Sequence, residues 1–236
     1  MDSNKVQNQM MKMSAGRAAV IAGIALLIMT ILAPIANFSI IQGMIVPEDA
    51  AKTVSNISES EGLFRLGIVL FVIVALLDII VAWALYLFLK SVNRGLSLLA
   101  AWLRVVYAAV LAVVLIHLID VLHLLSGTDY LAVFSADQLQ AQIMISINSF
   151  NRGWEFGLIL FGFHLLLLGY LLFRAGYMRK ILGILVILAA LGYLIDSTGK
   201  LLSADYDLTI SLYTFVGEIV LIFWLLIIGR KKQEPV

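Results

Sequence analysis

The chain has no cysteine, which excludes disulfides, thiolate catalysis and thiolate metal sites, and leaves the redox compartment unread. Charge is scarce as well. Only 13% of its 236 residues are Asp, Glu, Lys or Arg, against about 25% in a soluble domain. The net charge of +1 gives no bulk attraction for nucleic acid or acidic partners. The motifs of several enzyme classes are missing too: a phosphate-cradling glycine loop with its lysine, Gly-x-Ser-x-Gly, and His-Glu-x-x-His.

What fills the space is hydrocarbon. Hydrophobic residues make up 62% of the chain, an excess that too few polar side chains remain to cover in water. Six apolar runs approach or exceed the ~20 residues that cross a bilayer: 18–44, 63–89, 96–125, 154–173, 181–202 and 210–229. The first is too long for the core of a signal peptide and no Ala-x-Ala follows it, so an uncleaved helix is expected. Pro34 inside it marks an expected kink. Residues 46–62 read as a polar loop, within which Asn56-Ile57-Ser58 fits a glycosylation triplet. Between the third and fourth runs, Ser135 and Gln138 have capping-box spacing. Leu139, Ile143, Ile147 and Phe150 follow at helical intervals, an amphipathic segment that is either separate from the fourth span or continuous with it.

The basic residues set the threading. Lys5, Lys12, Arg17, Lys90, Arg94, Arg174, Arg179, Lys180, Arg230, Lys231 and Lys232 account for eleven of the sixteen Lys and Arg, and all fall in the tails or alternate turns. Such bias places that side in the cytoplasm. The expected architecture is an all-α polytopic bundle of six transmembrane helices with both termini cytoplasmic. A tail (1–17), a membrane domain (18–229) and a basic tail (230–236) divide the chain. Trp154 and Tyr130 suit the outer interface and Tyr177 the inner one.

Counting from the basic turns at 1.5 Å per residue sorts the polar groups by depth. Asp78, Arg104, His164 and Glu218 each lie ten or twelve residues in, roughly 15–18 Å deep and near the middle of a ~30 Å core. A lone charge there costs a few kcal/mol at least, so Asp78 and Arg104, on consecutive helices, are expected to pair. Alternatively, His164 and Glu218 join them in a proton or substrate path. Nearer the outer face lie Arg65, His117, Asp120, His123, Glu155, Asp196 and Lys200. His117, Asp120 and His123 share one helix face and could hold zinc; hydrogen bonding to headgroups or water is the simpler expectation. No other cofactor is expected. Asp196 and Lys200, one turn apart, read as an intrahelical pair. Two short echoes, His117-Leu-Ile-Asp120 with Tyr193-Leu-Ile-Asp196 and Tyr86-Leu-Phe-Leu-Lys90 with Tyr170-Leu-Leu-Phe-Arg174, hint at parallel repeats.

Several stretches carry a resemblance: Glu59-Ser-Glu-Gly-Leu-Phe-Arg-Leu-Gly67, Leu85-Tyr-Leu-Phe-Leu-Lys-Ser-Val-Asn-Arg94, and the outer-loop block from Leu125-Ser-Gly-Thr-Asp-Tyr130 to Gln140. Gly157 through His164-Leu-Leu-Leu-Leu-Gly-Tyr170 to Tyr193-Leu-Ile-Asp196, and Gly217-Glu218 before Trp224-Leu-Leu, extend it. Together they resemble the bacterial multi-pass family catalogued as domain of unknown function 4386. The resemblance implies six helices in a bacterial cytoplasmic membrane and supplies no activity or site residue. The expected function is non-enzymatic: a binding, sensing or scaffold bundle with a buried polar centre, in contact with membrane lipids and not nucleic acid. Small-molecule or proton-coupled transport is the alternative, and a metal-dependent hydrolase near the outer face a second one. Any small-molecule or protein partner, and the oligomeric state, stay open.

Overall fold

The computed structural model describes residues 14–203 and 205–228, and the side chains at 177–179 and 228 lie outside that description. The expectations for Lys5, Lys12, Arg179, Arg230, Lys231, Lys232 and the Tyr177 ring therefore fall outside the described residues. Six helices are long and apolar enough to cross a membrane: Ala15–Met44, Glu61–Leu89, Arg94–Leu124, Ala136–Arg174, Lys180–Leu202 and Ile210–Ile227. They are called the first to sixth spans below. Among the described residues there is no strand.

Each span packs on its neighbours in sequence, and the sixth returns to the first as well as the fifth, closing a ring. Short connections between antiparallel helices produce this order. The first span begins where the Ser14 side chain accepts the Arg17 backbone N–H. Its inward face is a stripe of small residues, with Ala18, Ala19 and Ala22 fully buried, while Ile24, Ile31 and Phe38 face outward. Close approach of backbones replaces the hydrophobic drive that lipid cannot supply. At Pro34 the missing N–H interrupts the α-helical ladder, and residues Ile35–Ile41 run as a π-helix. The expected irregularity is a widened turn at this place.

The 46–62 segment is not a loop. Ala50–Glu59 is a helix, capped by Asp49 accepting the Lys52 N–H at 2.8 Å. Thr53 and Ile57, one turn apart, are fully buried, and the Thr53 hydroxyl accepts the Val46 N–H at 2.9 Å. Asn56, the residue of the glycosylation triplet, donates its side-chain amide to the Met44 carbonyl. Its nitrogen is already in use within the fold.

The fourth span is continuous over 39 residues, from the amphipathic segment to Arg174. Its capping box is complete, with Ser135 accepting from Gln138 N and Gln138 accepting from Ser135 N. At 1.5 Å per residue it is about 58 Å long, nearly twice the ~30 Å hydrocarbon core. Ile143, Ile147 and Phe150 are buried in one cluster with Phe71 of the second span and Leu118 of the third. Gly153 does not break it; a Cβ there would collide with Val114, so the glycine serves close packing. The fifth span turns back at Gly176, whose φ of +128° suits glycine. It then lies so close to the fourth that a Cβ on Gly183 would stand 2.6 Å from the Gly169 carbonyl oxygen.

Two apolar clusters fill the ring. One, towards the face bearing the Lys90 and Arg174 turns (the terminal face), is built on Ala22, Leu85, Leu165, Val186 and Leu225. The other, towards the opposite loop face, is built on Ile41, Ile57, Phe71, Leu118 and Phe150. The polar centre lies at their junction.

Candidate functional site

Asp78 falls between Ala75 of the loop-side cluster and Val81 of the terminal-side cluster. Its side chain is fully buried, and Arg104 of the third span, 2% exposed, brings Nη2 to 2.7 Å from Asp78 Oδ1. Arg104 Nη1 lies 3.2 Å from His164 Nε2 on the fourth span. The other imidazole nitrogen, Nδ1, is 2.7 Å from the Ala100 carbonyl oxygen. A carbonyl cannot donate, so Nδ1 carries a hydrogen. A guanidinium cannot accept, so Nε2 offers its lone pair. His164 is thereby held as one neutral tautomer.

Phe161, one turn before His164, organises the surroundings. The Arg104 guanidinium sits 5.3 Å from its ring centroid. Its ring also meets Tyr107 at 5.1 Å, Tyr193 at 5.3 Å and His164 at 6.0 Å. Glu218, of the sixth span, stands beside the Tyr193 hydroxyl within electrostatic reach of Arg104 and Asp78. Five of the six spans thus contribute. Asp78 Oδ2 and Arg104 Nε are buried without a hydrogen-bond partner. Depth counting brings Asp78, Arg104, His164 and Glu218 into this neighbourhood; Phe161, Tyr107 and Tyr193 escape it, because an aromatic in an apolar run carries no mark of facing a charge.

The other polar residues do not form a second layer of that kind. Arg65 pairs with Glu61 on its own helix at 2.7 Å, both well exposed. Lys200 does not pair with Asp196. It crosses to Glu155 on the fourth span at 2.6 Å, and the Ser197 hydroxyl donates to the same carboxylate at 3.0 Å. Asp196 turns towards the chain entering the sixth span. It accepts from the Tyr206 hydroxyl, the Ile210 and Ser211 backbone N–H groups and the Ser211 hydroxyl, at 2.8, 3.0, 2.7 and 2.6 Å. Its carboxylate caps the helix start at Ile210, where N–H groups lack intrahelical partners, and that outcompetes a one-turn ion pair.

His117 Nδ1 and Asp120 Oδ2 lie 3.6 Å apart at the end of the third span, half-exposed. His123 instead stacks on Tyr130 and hydrogen-bonds its hydroxyl. Among the described residues no group of three His, Cys, Asp or Glu side chains is gathered closely enough to hold a metal ion. The echo between Asp120 and Asp196 is not matched in environment: the first is half-exposed, the second buried.

Two apolar grooves lie on the outer surface of the ring. One, about 350 Å³, lies between the third and fourth spans at Val106, Val113, Gly153 and Phe156. The other, about 270 Å³, lies between the second and third at Trp83, Tyr86, Leu98 and Trp102. Neither is lined by Asp78, Arg104, His164 or Glu218.

A closed ring of six apolar helices around buried charges defines an all-α, multi-pass membrane protein. The chain belongs to the family described as Domain of unknown function (DUF4386), whose profile matches residues 21–229. It is similar to an uncharacterized protein of Archaeoglobus fulgidus, 36% identical over 164 residues, which cover 70% of this chain and 84% of the relative. That relative is archaeal, so the likeness is not confined to bacteria. No solved structure matches the chain.

Proposed function

We propose that this chain is a non-enzymatic membrane protein of the binding, sensing or scaffold class, in which the Asp78–Arg104–His164 network holds the ring in one arrangement. The observation that carries this reading is the closure of the centre: Asp78 and Arg104 are 0 and 2% exposed, paired, and not among the residues that line either surface groove. A transport path needs wet access to its charged groups; a packing device needs them dry. The basic turns favour a cytoplasmic position for both termini, and the archaeal relative favours a prokaryotic cell membrane.

Reconstitution into liposomes enclosing a pH-sensitive dye tests this reading. With a pH gradient imposed, internal pH should relax no faster than in protein-free vesicles. A protein-dependent proton flux abolished by Glu218→Gln would overturn it in favour of proton-coupled transport. That second reading draws support from one feature: Glu218 shares its surroundings with a guanidinium already engaged by Asp78.

A further inference from the structure

The groove between the second and third spans opens where Ala82 and Ala101 are too small to fill the space beside Trp83 and Trp102. The two indoles are 47 and 59% exposed. They stand seven residues from Lys90 and eight from Arg94, roughly 10–12 Å from the terminal face. The groove therefore runs through the leaflet on that side, and its lining is almost wholly carbon.

Its terminal end is cationic. Lys90 follows Trp83 and Tyr86 by seven and four residues, and Arg94 precedes Leu98 and Ala101 by four and seven. Each basic residue thus continues the lining stripe of its own helix. Hydrogen bonds fix the two helix ends against each other. The Tyr86 carbonyl accepts from the Lys90 N–H at 2.9 Å and from the Ser97 hydroxyl at 3.2 Å. The Leu89 carbonyl accepts the Val92 and Asn93 N–H groups of the turn between them. Lys90 and Arg94 are exposed, and neither takes part in the ion pairs among the described residues. Between Glu61 and Asp120 the chain has one acid, Asp78, which is buried against Arg104. The first and fourth spans bring Arg17 and Arg174 to the terminal face, and among the described residues no Asp or Glu stands there.

We propose that this groove binds one anionic phospholipid from the leaflet on the terminal face. An acyl chain lies between Trp83 and Trp102, and the headgroup phosphate meets Lys90 and Arg94. Basic pockets between helices select acidic headgroups in this way. Arg94 also opens the third span, whose N-terminal dipole favours an anion. A second copy of the chain fits less well, because a two-fold contact through this groove would set Lys90 and Arg94 against their own counterparts. The site deepens the binding reading proposed above by naming a ligand class, and it makes no use of the polar centre.

Tryptophan quenching tests it. The full chain is reconstituted in phosphatidylcholine bilayers with a small fraction of phosphatidylglycerol brominated on its acyl chains. Matched bilayers carry the bromines on phosphatidylcholine instead. At equal fraction the brominated anionic lipid should quench the wild type several-fold more effectively, and raised salt should shrink that preference. Lys90→Gln with Arg94→Gln should abolish it, each basic residue contributing about fivefold. Trp83→Phe with Trp102→Phe should lose the extra quenching while the basic turn is intact. Equal quenching by the two lipids in the wild type, or a preference indifferent to salt and to the charge changes, would overturn the proposal. So would a preference that persists without Trp83 and Trp102, which would place the lipid elsewhere. Vesicle proton flux does not enter this readout, so the site and the reading above fail separately.

Discussion

Replacing Asp78 by asparagine removes a negative charge that is fully buried and 2.7 Å from a guanidinium itself 2% exposed. Arg104 is left with His164 and the Phe161 ring, neither of which carries charge, and Glu218 within electrostatic reach makes no ion pair with it to replace the 2.7 Å contact. Breaking a buried pair from one side costs about 3–5 kcal/mol, a large share of the ~5–15 kcal/mol that typically holds a fold. Arg104→Gln should be comparably damaging from the other side, stranding the carboxylate at mid-depth. The double variant Asp78→Asn with Arg104→Gln strands neither. Neutral polar partners of similar volume then face each other, and a coupling energy of ~2 kcal/mol, about thirtyfold in the folding equilibrium, should be recovered. Denaturant unfolding in bicelles, followed by intrinsic tryptophan fluorescence, measures all three against the parent. A double variant at least as unstable as the worse single change would refute the pairing account.

Other outcomes follow from other contacts. Gly183→Ala should destabilise by about 1–3 kcal/mol or more in the same unfolding assay, because the added Cβ meets backbone at Gly169 and Phe173, which cannot swing aside. Asp196→Ala removes the acceptor of four hydrogen bonds and should speed proteolytic cleavage between residues 203 and 209 while the ring stays folded; an unchanged cleavage rate would contradict the anchoring role. Lys200→Met should shift stability by less than about 1 kcal/mol, since its partner Glu155 and the lysine itself are both partly exposed. The chain has no native cysteine, so single cysteines report topology directly. Those placed in the 90–93 and 175–176 turns should react with an impermeant thiol reagent from one side of the bilayer, and those at 55 and 129 from the other.

Composition and charge spacing were enough to read the class of this protein. Six apolar runs long enough for a bilayer leave a chain no watery solution, and alternation of basic and acidic connections threads them in one sense. Depth was legible for the same reason: helices rise by a constant amount per residue, so Asp78, Arg104, His164 and Glu218 could be placed at one level before any packing was known. The Ser135 cap was equally local and equally readable.

Tertiary packing decided the remainder. Whether residues 136–150 joined the fourth span depended on the second and third spans rising to meet Ile143, Ile147 and Phe150, which no local signal records. The helix at Ala50–Glu59 exists because Thr53 and Ile57 find a surface to bury against. Lys200 and Asp196 look like partners along one helix; in three dimensions a carboxylate on the next helix and a row of unpaired N–H groups claimed them separately. The tautomer of His164 follows from the Ala100 carbonyl and the Arg104 guanidinium, one on each ring nitrogen. Periodicity says how deep a side chain lies, but rotation of one helix against another determines which group it meets there.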